Sequence, residues 1–371
     1  MTLYVIISVV FLIAYFVFII VSGLFLERKT IIINKADSKE LTTYSIIVVF
    51  RNEENNLINL VSDLKKLNFD ESRFEVIFID DNSTDNSIDV LNDSEIPNNY
   101  KILRSPGKGK KRGVYYAIEN SEADYIYSID ADCRLQPDIL KNADNYLNIN
   151  NVKLLIQPVI SIKNKGLLSR FQYYDYHALL GVNYAVFSAL GKPVLASAAN
   201  LIYSRSVFNR LKPFEGNMNV ASGDDMFLLN AFLKDDSKSV GLNYSRSSLI
   251  YTEPETNWGE LIKQRIRWAG KMKYLTNSSS FFLGLFSVSV QFVLLALLFM
   301  GLFDSDILIL FTSALLLKSL VDYHFINKTS KLLDKSVNWL KVLMLEPVYI
   351  FFVPIVFIMA LFYKPKWKGR G

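Results

Sequence analysis

The sequence predicts an α/β domain between an N-terminal transmembrane helix and several C-terminal ones. Hydrophobic residues make up 51% of the 371-residue chain. Their excess is concentrated at the two ends, as in a membrane protein that also carries a soluble domain. Between the ends, short apolar strands alternate with helix-like stretches. This alternation predicts parallel β-α-β units with helices on both faces of the sheet.

The run from Leu3 to Leu26 contains no charged residue and is long enough to cross a bilayer as a helix. It lacks a basic start and a small-residue cleavage site, and charged residues follow it. We therefore predict a retained anchor over residues 1–29 rather than a cleaved signal peptide. The C-terminal region, residues 278–371, is predicted to hold two to three spans or re-entrant segments. The candidate spans are Phe281–Phe303, Ile307–Ile326 and Pro347–Tyr363.

Charges around these spans indicate the orientation of the chain. Basic residues follow the first span and precede the second, whereas Asp304 and Asp306 follow the second. Because positively charged loops stay inside, the domain is predicted to be the cytoplasmic part of an integral membrane protein. The single cysteine, Cys133, fits a reducing compartment. Three C-terminal spans would leave the basic C-terminus outside, so we expect a re-entrant hairpin at Pro347 and Pro354 or an interfacial helix.

The domain is predicted to cover residues 44–277, after a polar linker over residues 30–43. Its strands are predicted at Ser45–Phe50, Phe74–Ile79, Tyr100–Leu103, Tyr125–Ile129 and Lys153–Ile160. Helices are predicted near residues 54–66, 84–92, 110–120 and 137–149. Ligands of open α/β sheets bind where the strands end at their carboxyl side, so the loops after these strands are the expected site.

The fourth predicted strand is followed by two carboxylates, Asp130 and Asp132, with one alanine between them. Two such carboxylates repel each other unless a cation lies between them, and hard divalent ions with oxygen ligands suit that position. A substrate that carries phosphate could then be held through the metal. An Asp-rich turn without a ligand is the alternative.

The loops after the first three strands are also polar. The first, Arg51–Asn55, could equally serve to cap the next helix. The second begins with Asp80 and Asp81, and a carboxylate there can accept hydrogen bonds from a nucleobase or ribose. The third, Pro106–Arg112, is a basic loop that could place Lys110 and helix amides near a diphosphate. It lacks the residue spacing of a P-loop.

These motifs resemble family 2 glycosyltransferases with the GT-A fold in order and spacing, over roughly residues 43–275. The resemblance rests on the runs Phe50-Arg51-Asn52-Glu53-Glu54, Asp80-Asp81-Asn82-Ser83-Thr84-Asp85, Asp130-Ala131-Asp132, Ser222-Gly223-Asp224-Asp225 and Gln264-Arg265-Ile266-Arg267-Trp268. The last run carries the Q-x-x-R-W element of the membrane-anchored branch, which includes cellulose, chitin, hyaluronan and poly-N-acetylglucosamine synthases. The resemblance implies a Rossmann-like, nucleotide-sugar-binding domain.

The resemblance also implies roles for individual residues. The nucleotide-sugar-binding residues would be Val49, Arg51, Glu53, Asp81, Lys110 and Asp130. A Mg²⁺ or Mn²⁺ ion on the diphosphate would be held by Asp130 and Asp132. The residues that contact the acceptor and the diphosphate would be Gln264, Arg267 and Trp268.

The general base of the family is the last carboxylate of a Thr-Glu-Asp element, and Asp225 occupies that position. The sequence departs from the pattern there, because Gly223-Asp224-Asp225 stands in place of Thr-Glu-Asp. An acceptor hydroxyl must lose a proton as it attacks an anomeric carbon, so a positioned carboxylate is needed. Capping of the apolar helix that follows is the alternative role for Asp224 or Asp225. Asn200 is predicted either to line the acceptor pocket or to be a buried structural residue.

One attack assisted by one base inverts the anomeric centre. Together with this displacement, the resemblance implies an inverting, metal-dependent hexosyltransferase. It would move a sugar from a UDP-sugar to a lipid-linked or polyprenyl-linked acceptor in the membrane, with no nucleic-acid partner. A processive polysaccharide synthase is the alternative within enzymes, although three C-terminal spans are few for a translocation channel. A membrane-tethered protein that binds nucleotide sugars without catalysis is the alternative from another class.

Overall fold

The computed structural model describes residues 2–26, 42–220, 222–275, 278–333 and 335–362. The chain divides into two compact units, each assembled from segments that are separate in sequence. We call them the helical unit and the α/β unit. The helical unit comprises Met1–Thr30, Lys165–Leu190 and Glu255–Pro365, and the α/β unit comprises Ile31–Asn164, Gly191–Pro254 and Lys366–Gly371.

Helices and strands are numbered here in chain order. The helices are α1 (Thr2–Phe25), α2 (Glu54–Leu64), α3 (Ser87–Asn92), α4 (Lys110–Glu119), α5 (Ile139–Asn150), α6 (Leu167–Leu190), α7 (Arg205–Leu211), α8 (Asp224–Asp236), α9 (Trp258–Lys271), α10 (Ser279–Gly301), α11 (Ser305–Lys331) and α12 (Trp339–Phe362). The strands are β1 (Tyr44–Phe50), β2 (Phe74–Asp80), β3 (Tyr100–Arg104), β4 (Tyr125–Ser128), β5 (Cys133–Arg134), β6 (Leu154–Ile156), β7 (Val159–Ser161), β8 (Leu201–Ser204), β9 (Val240–Leu242) and β10 (Ile250–Thr252).

The main sheet of the α/β unit has the strand order β3-β2-β1-β4-β8-β6-β9. β1 is fully buried, as its nearly continuous apolar run requires of a central strand. It is parallel to β2 and β4, and β2 is parallel to β3. The carboxyl ends of these four strands therefore meet at one edge of the sheet. A smaller sheet has the order β5-β10-β7.

The first four predicted strands and the four predicted helices are confirmed with small shifts of their ends. The fifth predicted strand, Lys153–Ile160, is wrong as a single strand. It divides into β6 and β7, which belong to different sheets, because Pro158 has no N–H to donate to a ladder. The main sheet is also mixed rather than wholly parallel, since β8 runs antiparallel between β4 and β6.

The two units interleave along the sequence, which the predicted domain over residues 44–277 did not anticipate. Helices α6 and α9 both fall inside those boundaries, yet they group with the terminal helices in the helical unit. Residues 27–41, which include most of the predicted linker, lie outside the described residues.

Helices α1, α10 and α12 are each long and apolar enough to cross a membrane. α12 continues through Pro347 and Pro354 as one helix, so the expected hairpin at these prolines is absent from its described residues. α11, which contains the predicted span Ile307–Ile326, contacts α1, α10 and α12. The predicted orientation of the chain in the membrane stays a prediction.

A buried ionic cluster joins three helices of the helical unit. The Lys318 ammonium on α11 lies 2.6 Å from Asp322 Oδ2 and 2.7 Å from Glu346 Oε2 on α12. The Tyr15 hydroxyl on α1 donates a hydrogen bond to Asp322 Oδ1 at 2.6 Å. Charges among apolar helices are costly unless they are paired and hydrogen-bonded. We infer that this cluster makes the packing of α1, α11 and α12 specific.

Replacement of the buried cation should destabilise the helical unit. In Lys318→Met, the buried Glu346 and the largely buried Asp322 lose their shared ammonium. We expect a loss of about 3–5 kcal/mol in the free energy of unfolding. The triple variant with Asp322→Asn and Glu346→Gln removes the stranded charges and should recover most of it. Unfolding of the full chain in detergent measures both, with Lys331→Met at the exposed end of α11 as the matched control. Equal stability of Lys318→Met and Lys331→Met would contradict the inference.

Candidate active site

The loops that follow β1 and β2 are locked to each other by side-chain-to-backbone hydrogen bonds. The Thr84 N–H donates to Asn52 Oδ1 at 2.8 Å, and the Glu53 N–H donates to Ser87 Oγ at 2.8 Å. Asn52 has a φ of 54°, a left-handed conformation that asparagine tolerates better than most residues. Glu53 occupies the N-cap position of α2 without a side-chain capping bond. Capping by the Glu53 side chain therefore does not explain this loop.

Asp81 holds the basic loop that follows β3. Its carboxylate is fully buried, and the Gly109 N–H donates to Oδ1 at 3.0 Å and to Oδ2 at 3.1 Å. Gly109 has a φ of 100°, a backbone conformation that is open essentially to glycine alone. Asn82 Nδ2 adds a bond to the Gly107 carbonyl at 3.3 Å. The second loop thereby fixes the point from which Lys110 leaves the backbone.

Lys110 connects the two carboxylate pairs that the sequence singled out. Its Nζ lies 2.6 Å from Asp130 Oδ1 and 3.2 Å from Asp224 Oδ2. Burial alone would lower the pKa of Lys110, but the neighbouring Asp130 and Asp224 carboxylates outweigh burial and raise this pKa above its ordinary value. The side chain therefore stays protonated at neutral pH. Residues from the loop after β4 and from the start of α8 are thus held at one place.

Asp132 is fixed by the smaller sheet. Thr252 Oγ1, at the end of β10, donates to Asp132 Oδ2 at 2.9 Å. The neighbouring Cys133 is buried, and burial, followed by the charges of Asp132 and Asp130, raises the pKa of its thiol. A protonated, buried thiol is a packing group rather than a nucleophile.

The carboxylates fit a divalent cation that is shared with a phosphate ligand. Among the described residues, no group of three or more His, Cys, Asp or Glu side chains is placed to hold a metal ion. Mg²⁺ and similar ions, however, commonly bind through one or two carboxylates, with substrate phosphates and waters completing the shell. Asp130 and Asp132 supply that number, and the single charge of Lys110 neutralises only part of the charge of Asp130 and Asp224.

Asp225 lies in the first turn of α8. The N-cap residue of this helix is Gly223, which has a φ of 96° and no side chain to cap with. The Met226 N–H donates to Asp225 Oδ1 at 2.6 Å, and the helix dipole favours the ionised carboxylate at this end. Asp224 is directed to Lys110, so capping alone does not account for the pair.

Lys111 is a positioning residue that the sequence did not reveal. It is buried, and its Nζ donates to the carbonyls of Asn217 at 2.7 Å and Val220 at 3.0 Å. The ammonium also lies 4.4 Å from the ring centroid of Phe227 on α8. Lys111 thus fastens the segment that leads to Asp224, while its neighbour Lys110 binds Asp224 itself.

Two other predicted site residues serve the packing of the α/β unit. Val49 is buried in β1, and a Cβ on Gly113 of α4 would come within 2.6 Å of its Cγ1. Asn200 is fully buried. It accepts from the Tyr127 hydroxyl at 2.8 Å and from Gln157 Nε2 at 3.0 Å, and its Nδ2 donates to the Pro158 and Ser248 carbonyls, both at 2.9 Å. Of the two predicted roles, this geometry favours the buried structural asparagine.

The structure does not bring all the predicted site residues into one unit. Gln264, Arg267 and Trp268 lie on α9 of the helical unit, whereas the predicted nucleotide, metal and base residues belong to the α/β unit. Within the helical unit, Gln264 Nε2 donates to Glu255 Oε1 at 2.7 Å. Arg267 and Trp268 are half-buried.

Residues 45–211 match the family model described as "Glycosyl transferase family 2". The chain is 27% identical over 273 residues to the "Probable glycosyltransferase" of Sulfolobus acidocaldarius, an alignment that covers 67% of this chain and 54% of that protein. It is also 27% identical over 167 residues to the poly(ribitol-phosphate) beta-N-acetylglucosaminyltransferase TarS of Staphylococcus aureus, covering 44% and 26%. The chain thus spans about half or less of the length of these curated relatives.

A solved structure of a mannosyltransferase from Pyrobaculum calidifontis, in complex with GDP-Man and Mn²⁺, is similar over 97% of both chains. The TM-score is 0.57 at 13% sequence identity. This likeness confirms the GT-A fold that the sequence predicted. The family-model match over residues 45–211 supports a family 2 glycosyltransferase. Membership of the branch defined by the Q-x-x-R-W element stays a prediction.

Proposed function

We propose that the protein is an inverting glycosyltransferase that moves a sugar from a nucleoside diphosphate to a lipid-linked acceptor in the membrane. The observation that carries the proposal is the contact of Lys110 with both Asp130 and Asp224. Through this contact, Asp130, which we assign to a diphosphate-bound cation, lies close to Asp224, the neighbour of the proposed base Asp225. The names of the relatives and the family-model match support the same class of reaction.

In the proposed reaction, Asp225 accepts the proton of the acceptor hydroxyl as that oxygen attacks the anomeric carbon. The bond between the anomeric carbon and the diphosphate breaks at the same time, and its electron pair leaves with the diphosphate. A carboxylate is suited to this role when it stays ionised until the transfer, and the N-terminal end of α8 favours its ionised form. A single displacement of this kind inverts the configuration of the sugar.

The departing diphosphate gains negative charge, which the site must neutralise. Lys110 provides one ammonium, and we propose that Arg267 provides a second cation. A divalent ion held by Asp130 and Asp132 would supply further positive charge to the diphosphate oxygens. We assign recognition of the nucleoside to Asp81, Arg51 and Glu53, with uridine as the proposed base.

We propose that the acceptor is an amphipathic molecule whose apolar part stays in the bilayer. α1, α10 and α12 can each cross a membrane, and a chain anchored in this way meets lipid-linked acceptors at the membrane surface. Gln264 and Trp268 are the proposed contacts for the acceptor, on the strength of the Q-x-x-R-W element. The proposed reaction involves no nucleic-acid partner.

Replacement of the proposed base should abolish transfer without loss of the fold. Asp225→Asn keeps the size of the side chain but cannot accept the proton, and we expect sugar transfer to fall about 10²- to 10⁴-fold. Membranes that contain the full chain are assayed with a panel of nucleotide sugars, and the products are sized. The control is Asp235→Asn, which changes an exposed carboxylate of the same helix that pairs with Arg210.

Full activity of Asp225→Asn would contradict the assigned base.

Products that carry one or two added sugars are expected. A long polymer would instead indicate a processive synthase, and nucleotide-sugar binding without any transfer would indicate a binding protein.

Removal of divalent ions should weaken both donor binding and transfer. We expect EDTA to abolish transfer and Mn²⁺ or Mg²⁺ to restore it, because the aspartates otherwise repel the anionic diphosphate. Calorimetry with the unreacted nucleotide sugar gives a readout that does not depend on turnover, and Asp132→Asn should lower the affinity with metal present. Transfer that persists in EDTA would rule out the metal assignment.

A further inference from the structure

Helix α6 presents a polar face to α9, although its sequence gives no motif. Gln172, Asp175 and Tyr176 are three and four residues apart, so they share one face of this helix. Each of them meets the segment from Glu255 to Trp268. This face determines how the proposed acceptor residues of α9 are held.

Arg265 is the centre of the contact between the two helices. Its side chain is 8% exposed, and its Nη2 lies 2.7 Å from Asp175 Oδ2. Its Nη1 donates to Gln264 Oε1 at 2.6 Å. The guanidinium also lies 4.0 Å from the ring centroid of Trp268 and 5.5 Å from that of Tyr176. A planar guanidinium can donate to an acid and an amide through its fixed fork of N–H groups while its flat face lies against an aromatic ring.

Asp175 is itself held from a third helix. The Tyr349 hydroxyl on α12 donates to Asp175 Oδ1 at 3.4 Å, so both oxygens of this carboxylate have partners. The Asp175 side chain is 17% exposed. If Arg265 were lost, Asp175 would keep the hydrogen bond from Tyr349 but not the ion pair. A largely buried carboxylate without its cation is costly to the fold. The position of the Arg265 guanidinium therefore depends on contacts with α6 and, through Asp175, with α12.

Gln264 is fixed at both ends of its amide. Its Oε1 accepts from Arg265, and its Nε2 donates to Glu255 Oε1 at 2.7 Å. Glu255 is held in turn by Gln172 of α6, because the Glu255 N–H donates to Gln172 Oε1 at 2.8 Å and Gln172 Nε2 donates to the Glu255 carbonyl at 3.0 Å. Both clamps on the amide therefore lead back to the same face of α6.

We propose that Asp175 and Arg265 are positioning residues that set the side chains of Gln264 and Trp268 for the sugar acceptor. The proposal rests on the proposed function, which assigns the acceptor to these two side chains. Asp175 and Arg265 act through Gln264 and Trp268 rather than on the acceptor. Arg265 lies inside the Q-x-x-R-W run but is not one of its named residues, and Asp175 lies about ninety positions earlier in the chain.

The kinetic test varies the acceptor and the donor separately in the purified full chain. We expect Asp175→Asn and Arg265→Met to lower kcat/KM for the acceptor about 10- to 100-fold, since small misplacements of binding groups cost that much. The KM for the nucleotide sugar should stay within about twofold of the wild-type value. Arg265→Lys keeps the charge but loses the planar fork, so it should restore only part of the loss.

The matched control is Lys263→Met. Lys263 is a basic residue on the same helix, and its side chain is 63% exposed and pairs with Glu260. We expect its kinetic constants to match those of the wild type. Thermal unfolding of each variant establishes that the compared samples are folded.

A second readout reports the geometry without any turnover. The chain has four tryptophans, so the signal of Trp268 is obtained by difference. Arg265→Met should change the tryptophan emission of the wild-type chain and should leave that of the Trp268→Phe chain unchanged. This comparison tests the contact of Arg265 with Trp268 even if the wild-type protein transfers no sugar. The absence of transfer would refute the proposed function separately.

Any one of three results would overturn the proposal. In the first, Arg265→Met and Asp175→Asn keep the wild-type kcat/KM for the acceptor. In the second, the KM for the nucleotide sugar rises as much as the KM for the acceptor, which would indicate a general structural role. An emission change in Arg265→Met that persists in the Trp268→Phe chain would also contradict it.

Discussion

The arrangement of the candidate site depends on the ammonium of Lys110. The carboxylates of Asp130 and Asp224 come from parts of the chain far apart in sequence, and they lie 2.6 Å and 3.2 Å from this ammonium. Without the cation between them they would repel each other. Asp81 and Gly109 set the loop that supplies this lysine, and Lys111 fastens the segment that leads to α8. One short basic stretch at the start of α4 thus joins the strand-end carboxylates to the first turn of α8.

The parts of the fold that could be predicted from the sequence are those that local pattern determines. The strands β1, β2 and β4 are buried and nearly continuous apolar runs. Each of the parallel strands β1 to β4 is followed by a polar loop at the same sheet edge. Asp81, Asp130 and Asp224 could be identified because each follows a strand or precedes a helix. Their chemistry is readable at that level, whereas the distances between them depend on the assembled sheet.

The rest depends on contacts between distant residues. No local pattern shows that α6 belongs with the terminal helices, that Pro158 divides a strand between two sheets, or that Asn200 serves four partners inside the α/β unit. Lys318 and Asp322 could be read as a pair on one helical face, but Glu346 and Tyr15 meet them only in the packed bundle. The role of Arg265 likewise depends on its contact with Asp175, which is distant in sequence.

A double-mutant cycle on Lys110 and Asp224 tests most directly the claim that one ammonium organises the site. Lys110→Met, Asp224→Asn and the double variant are compared by the free energy of unfolding of the full chain in detergent. The structure predicts a coupling free energy of about 0.5–3 kcal/mol, with the Lys110 replacement less harmful once Asp224 is neutral. Additive effects within about 0.5 kcal/mol would contradict the claim, because the two residues would then stabilise the fold independently.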